Sequence, residues 1–155
     1  MSSINLTSLE HMTRESLAST FTPSLPSSTA IIDVRDSDHV GGHIKGSTWV
    51  PSSTLDHKIP ELIRTLKDKD TVVFHCALSQ QRGPSAALRY MRERERLTDA
   101  RTESREEVHE KGSGKKQKVY VLEGGFTMWQ EKYGENESLT EGYHKDVWEF
   151  GTPNH

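Results

Sequence analysis

Residues 71–75, Thr-Val-Val-Phe-His, run without a break into Cys76-Ala77-Leu78-Ser79-Gln80-Gln81-Arg82-Gly83-Pro84. The first stretch is short, β-branched and aromatic, the pattern of a buried strand. Pro84 follows where a helix can begin, because the first turn has no use for the missing N–H. The spacing predicts a helix over 84–96. A strand that feeds directly into a helix constrains the fold, since parallel strands need such crossovers and hairpins do not. The same pattern recurs along the chain. Residues 30–34 and 118–122 read as buried strands, and 48–50 as a short one stopped by Pro51. Ile59, Leu62, Ile63 and Leu66 share one face of a helix over 58–66, and Gly124-Gly125 turns into a helix carrying Phe126, Trp129 and Tyr133. Thr7 and Glu10 form a capping-box pattern ahead of Leu9, Met12 and Leu17, which predicts a first helix over 8–20. The alternation predicts an α/β fold, an open parallel sheet flanked by helices, in a single domain.

The chain has 155 residues, enough for one core, yet only 32% are apolar and 28% are charged. The stretch from Arg92 to Lys118 holds much of that charge. It reads as a charged solvated insertion over about 96–117, its first part able to prolong the helix, with a docking or localisation element as the alternative. Residues 1–135 are then the folded domain and 136–155 a C-terminal tail. A net charge of −3 argues against nucleic acid as a partner. The single cysteine allows no internal disulfide and no cysteine-based zinc site, and suits a reducing compartment. The N-terminus lacks the basic and apolar regions of a secretory signal, and no apolar run reaches membrane-spanning length. The expectation is a cytoplasmic or nuclear monomer with no membrane partner.

Chemistry concentrates at Cys76. A loop that wraps from a strand to a helix N-terminus points successive N–H groups inward, and with the helix dipole these make an anion cradle. The same field favours a thiolate. Arg82, six residues on, can grip two oxygens of a bound oxyanion, with Cys76 below its central atom for in-line attack. Gly83 lets the backbone approach closely. Cysteine–arginine spacing alone is weak, and a small buried hydrophobe at a strand end is the plain alternative for Cys76.

Four segments decide it. AIIDVRD (30–36), GGHIKGSTWVP (41–51), VVFHCALSQQRGP (72–84) and VYVLEGGFTMW (119–129) resemble, in order, the hallmark segments of rhodanese-like domains. Five residues separate Cys76 from Arg82, where sulfurtransferases of the superfamily usually carry a shorter loop. The string HC-x5-RGP is similar to the cell-division-cycle dual-specificity phosphatases. It is more similar still to their small stand-alone relatives in fungi and plants, which include arsenate reductases. The resemblance implies Cys76 as nucleophile, Arg82 as clamp, and the backbone amides of Ala77, Leu78, Ser79, Gln80, Gln81 and Arg82 as cradle. It implies a phosphocysteine-forming protein phosphatase acting on phosphoprotein, with no cofactor. Arsenate reduction with glutathione and glutaredoxin is the alternative, and thiosulfate-type sulfur transfer a third. The large phosphatases carry Glu directly after the cysteine; here it is Ala77, so an acid role there does not transfer.

Supporting residues carry two readings each. Asp33 and Arg35 are either acid-site groups or, the favoured reading, a buried ion pair bracing loops. Asp36 and Asp38 are more exposed acid candidates. His75 could tune the thiolate, but alternation turns it away from Cys76, which makes it a brace. Ser79 could hydrogen-bond the thiolate. Glu123 could act as an acid but reads better as structural. His43 reads as a hydrogen-bonded brace and Gly46 as a turn. His39 and His43 suggest no third ligand, so no metal is expected. Phe126 and Trp129 read as core.

Overall fold

The computed structural model describes residues 8–104 and 117–150. Five strands form one parallel sheet in the order β1 (Glu10–Met12), β6 (Lys118–Leu122), β5 (Thr71–His75), β2 (Thr29–Asp33), β4 (Thr48–Trp49). Side chains alternate across it, as pleating requires. Val72 and Phe74 face one cluster, built with Leu55, Ile59 and Leu62 of α2 (Leu55–Thr65) and Ala86, Ala87 and Tyr90 of α3 (Arg82–Ser104). Ile31 and Val73 face the other, with Leu17 of α1 (Arg14–Ala18) and Phe126 and Trp129 of α4 (Gly125–Tyr133). Helices on both faces of a parallel sheet are the architecture that the alternation predicted.

The N-terminal helix expected over 8–20 is instead a strand and a shorter helix. β1 pairs with β6, Glu10 opposite Tyr120 and Met12 opposite Leu122. Leu9 joins the α2–α3 core while Met12 packs against the α4 core. Residues three apart share a helix face but lie on opposite faces of a strand, so burial on both sides of the sheet selects β1. The cap is Thr13, which accepts from the Ser16 N–H at 3.1 Å; Thr7 lies outside the described residues.

Of the stretch 136–155 taken as a tail, residues 136–150 pack onto the domain, and 151–155 lie outside the described residues. β7 (Thr140–Glu141) pairs antiparallel with β3 (His43–Ile44). Trp129 Nε1 donates to Thr140 Oγ1 at 2.9 Å. α5 (Lys145–Phe150) brings Trp148 over Phe126, ring centroids 5.6 Å apart, and its Nε1 donates to Gly41 O at 3.0 Å. A two-residue strand carries no periodicity to read. The helix after Pro84 begins at Arg82 and runs into the charged stretch as far as Ser104, while residues 105–116 lie outside the described ones. The chain is held again at Gln117, whose amide donates to Leu66 O and Lys69 O and accepts from Tyr90 OH. Among the described residues no helix is long and apolar enough to cross a membrane.

Candidate active site

Parallel strands align their C-terminal ends, where α/β sheets place their ligands. Asp33 sits opposite His75 and Trp49 opposite Asp33, so the segments leaving β2, β4 and β5 emerge side by side. Two further bonds continue the register: Val34 N to His75 O and Val50 N to Asp33 O, both 2.8 Å.

The loop leaving β5 folds back on its first residue. Ser79 N–H donates to Cys76 Sγ at 3.1 Å, and Cys76 N–H donates to Ser79 Oγ at 3.3 Å. Ser79 takes φ +59° to do so, a left-handed conformation that non-glycine residues adopt at a cost. From behind, the start of α4 holds the loop carbonyls: Phe126 N–H donates to Cys76 O at 3.0 Å and Thr127 N–H to Ala77 O at 2.9 Å. Gly125 makes this possible. A Cβ there would lie 2.4 Å from both carbonyl oxygens, and its φ is +57°. With the carbonyls engaged from one side, the N–H groups of Ala77, Leu78, Gln80 and Gln81 find no acceptor among the described residues. Cys76 is only 3% exposed, and the Ser79 N–H is the loop amide that reaches its sulfur. Gly83 is buried against the His75 and Cys76 backbone, but a Cβ would meet its nearest atoms at 3.4 Å, so the approach is close without demanding glycine.

Arg82 opens α3 and turns toward the segment after β2. Its Nη1 donates to Asp38 Oδ1 at 2.9 Å and its Nη2 to Asp38 Oδ2 at 2.7 Å, a two-pronged pair; Nη1 also lies 3.5 Å from Asp36 Oδ2. Asp36 is in turn held by Ser52 Oγ and Ser53 N–H, and its own N–H donates to Asp38 Oδ1 at 2.8 Å. Hydrogen bonds from Arg82, against a burial penalty, hold the Asp38 carboxyl at about 2. Burial pushes Asp36 up, but Ser52, Ser53 and Arg82 outweigh it and the net shift is down. The Arg82 guanidinium is raised above its usual value by Asp38 first, with Cys76 among the further contributors. Both aspartates are therefore ionised at neutral pH in this state, and neither carries the proton that the acid reading asked of it.

A buried polar layer lies beneath. Arg35 Nη2 meets Asp33 Oδ2 at 2.7 Å, both side chains fully buried, and also donates to Gly42 O at 2.9 Å. This is the bracing ion pair, with the guanidinium carbon 4.5 Å above the Phe126 ring. His75 Nδ1 donates to Cys76 O at 3.0 Å, which leaves Nε2 unpartnered, 3.8 Å from Asp33 Oδ2. Burial lowers the imidazole of His75 more than Asp33 raises it, so the ring is neutral. His75 thus braces the loop from the face opposite Cys76. His43 pairs with Glu141 at 3.0 Å, and Gly46 takes φ +87°. Glu123 is exposed and donates through its backbone N–H to Met12 O at 2.9 Å, and its carboxylate makes no hydrogen bond or ion pair among the described residues. Phe126 and Trp129 are fully buried, as read.

Sequence reasoning named Asp36 and Asp38 but missed that they hold Arg82, and missed Ser52 altogether. Asp38 and Arg82 lie 44 positions apart. The only usable signal was the pairing of 30–34 with 71–75, which sets the segments after both strands together.

A five-stranded parallel sheet with a cysteine at the loop between β5 and α3 defines a class, and the chain belongs to the rhodanese-like family: the Rhodanese-like domain matches over residues 22–132. Among curated proteins it is 38% identical over 129 residues to the CDC25-like phosphatase YCH1 of Saccharomyces cerevisiae, covering 76% of each chain. It is 45% identical over 102 residues to Arsenate reductase 2.1 of Oryza sativa subsp. japonica, 65% of this chain and 56% of that one. Among solved structures, Ygr203w, described as a yeast protein tyrosine phosphatase of the rhodanese family, superposes with a TM-score of 0.70 at 32% identity over 94% of this chain and 99% of that one.

Proposed function

We propose that this chain is a cysteine-dependent protein phosphatase of the phosphotyrosine or dual-specificity type. The observation that carries the reading is the loop after Cys76: backbone N–H groups without acceptors among the described residues, the Ser79 N–H on the thiol sulfur, and the Arg82 guanidinium at the loop's end. Such a loop satisfies its donors by taking a tetrahedral oxyanion. The Cys76 thiolate attacks phosphorus and an S–P bond forms as the P–O bond to the alcohol breaks; the leaving oxygen takes up a proton. Water then attacks the phosphocysteine, releasing inorganic phosphate and restoring the thiolate. No cofactor enters. The resemblance to CDC25-like phosphatase YCH1 and to Ygr203w supports the reading.

A second reading has its own support, the 45% identity to the rice arsenate reductase. Arsenate loses one oxygen as water on forming the arsenocysteine. Two electrons reduce As(V) to As(III), supplied by Cys76 and an external thiol such as glutathione, which end as a mixed disulfide that glutaredoxin reopens. With one cysteine in the chain, no internal thiol can take that part. Either chemistry fits a monomer in a reducing cytoplasmic or nuclear setting acting on a phosphoprotein or a small oxyanion.

The test runs two assays on the wild type and Cys76→Ser: aryl phosphate hydrolysis, and arsenate-dependent NADPH oxidation coupled through glutathione, glutaredoxin and glutathione reductase. Hydrolysis that falls by more than about 10³-fold in Cys76→Ser is the expected result. Arsenate turnover with negligible hydrolysis would replace the phosphatase reading by the reductase.

A further inference from the structure

The geometry points to Asp38 as a positioning residue for Arg82, one that holds the Nη1–Nη2 edge of the guanidinium and leaves the Nε–Nη2 edge for the oxyanion. The inference rests on the proposed function, in which the loop over Cys76 binds a tetrahedral oxyanion. A guanidinium carries five N–H groups arranged as forks. Asp38 occupies the fork between Nη1 and Nη2, at 2.9 and 2.7 Å. The fork between Nε and Nη2 stays open, and Nε has no acceptor among the described residues. Arg82 can therefore serve Asp38 and two oxyanion oxygens at once.

The carboxylate that does the holding is itself held. The Asp36 N–H donates to Asp38 Oδ1, and the Asp36 carboxylate is fixed by Ser52 Oγ and Ser53 N–H at the 3-10 turn Ser52–Thr54. A path of hydrogen bonds thus runs from that turn through Asp36 and Asp38 to the first residue of α3. Arginine is costly to immobilise, because its long side chain has many rotamers to lose. Fixing it before the substrate arrives places its charge where charge develops in the transition state. Asp38 touches neither the substrate nor the reacting atoms; it acts through Arg82. Its negative charge also opposes the dianion, so its value lies in turnover rather than in ground-state affinity.

The experiment compares the full chain with Asp38→Ala, Asp38→Asn and Asp38→Glu, each checked by thermal melting. It reads kcat and KM on whichever oxyanion substrate the wild type turns over, together with binding of orthovanadate and of inorganic phosphate. Asp38→Ala is expected to lower kcat and vanadate affinity by roughly 10- to 100-fold, the scale of a misplaced catalytic group. KM and phosphate affinity should hold or improve, and Asp38→Glu should recover part of kcat. In an Arg82→Lys background, where the ammonium has no second fork, Asp38→Ala should change vanadate binding by less than about twofold. If Asp38→Ala does not fold, Asp38→Asn is read in its place. Turnover that is unchanged or raised in these variants, with phosphate bound more tightly, would make Asp38 a competitor of the oxyanion and overturn the inference. A wild type that binds neither anion and turns over neither substrate removes the proposed function itself, and the positioning role with it.

Discussion

Ser79 concentrates the local conflict of the site. Its left-handed φ of +59° lets its N–H reach Cys76 Sγ while its hydroxyl accepts from Cys76 N–H. Side chains differ sharply in what that conformation costs: asparagine tolerates it, β-branched residues do not. Ser79→Val is therefore expected to lose about 1–3 kcal/mol of stability, with Ser79→Asn within about 1 kcal/mol of the wild type. Urea melting of the two variants decides it, and equal losses would show that φ is not the constraint. At this scale the sequence disclosed Cys76 and Arg82, because both stand in one uninterrupted string after a strand. It did not disclose the partner of Arg82. Asp36 and Asp38 looked like exposed carboxylates with a proton to give, and only the lateral pairing of β2 with β5 turns them into its holders.

Two glycines of the helix starts separate contact from necessity. At Gly125 a methyl group would strike two loop carbonyls at 2.4 Å, and the backbone is left-handed there. At Gly83 the same methyl meets its neighbours at 3.4 Å with no positive φ. Gly125→Ala is expected to cost more than about 2 kcal/mol and most of the turnover, because the carbonyls of Cys76 and Ala77 must move or lose their donors. Gly83→Ala is expected to cost less than about 1 kcal/mol. Thermal melting and oxyanion turnover, measured on both, check the contrast. The elements themselves were unequally legible. β2, β5 and β6 carry dense β-branched runs with buried faces and stood out. β1 and β7 have three and two residues and exist because a neighbouring backbone offers them bonds. Local pattern cannot register a partner that arrives from elsewhere in the chain.

For the molecule as a whole, stability against pH should show two separate declines. His75 is neutral when folded because burial lowers its imidazole, and His39 is lowered by burial as well. Both take up protons in the unfolded chain below about pH 6.5, so stability falls as pH drops through that value. Asp38 behaves as a depressed carboxylate. Its stabilisation is complete above about pH 3.9, the unfolded value, and is lost as pH falls toward about 2. Urea melts from pH 8 to 2 are expected to show the first decline reduced in His75→Gln and the second reduced in Asp38→Asn; identical profiles for all three proteins would contradict both assignments. Removal of residues 136–155 is expected to lower the melting temperature by several degrees, since it strips β3 of its partner and Phe126 of the Trp148 ring. The parallel sheet was legible at this scale from the alternation of elements alone. The closing segment was not, since its anchors, Thr140 and Trp148, are single residues that dock on Trp129 and Gly41.

The bonds from the first turn of α4 to the Cys76 and Ala77 carbonyls have a practical meaning for anyone who would borrow this chemistry. Residues 76–82 are not a cassette. Grafted into another parallel sheet without a matching glycine turn on the neighbouring strand, the loop would carry two carbonyls facing nothing, and its N–H groups would have no reason to stay free. The unit that can be inherited, or transplanted, is the pair of adjacent junctions, one bearing the thiol and the other holding its back.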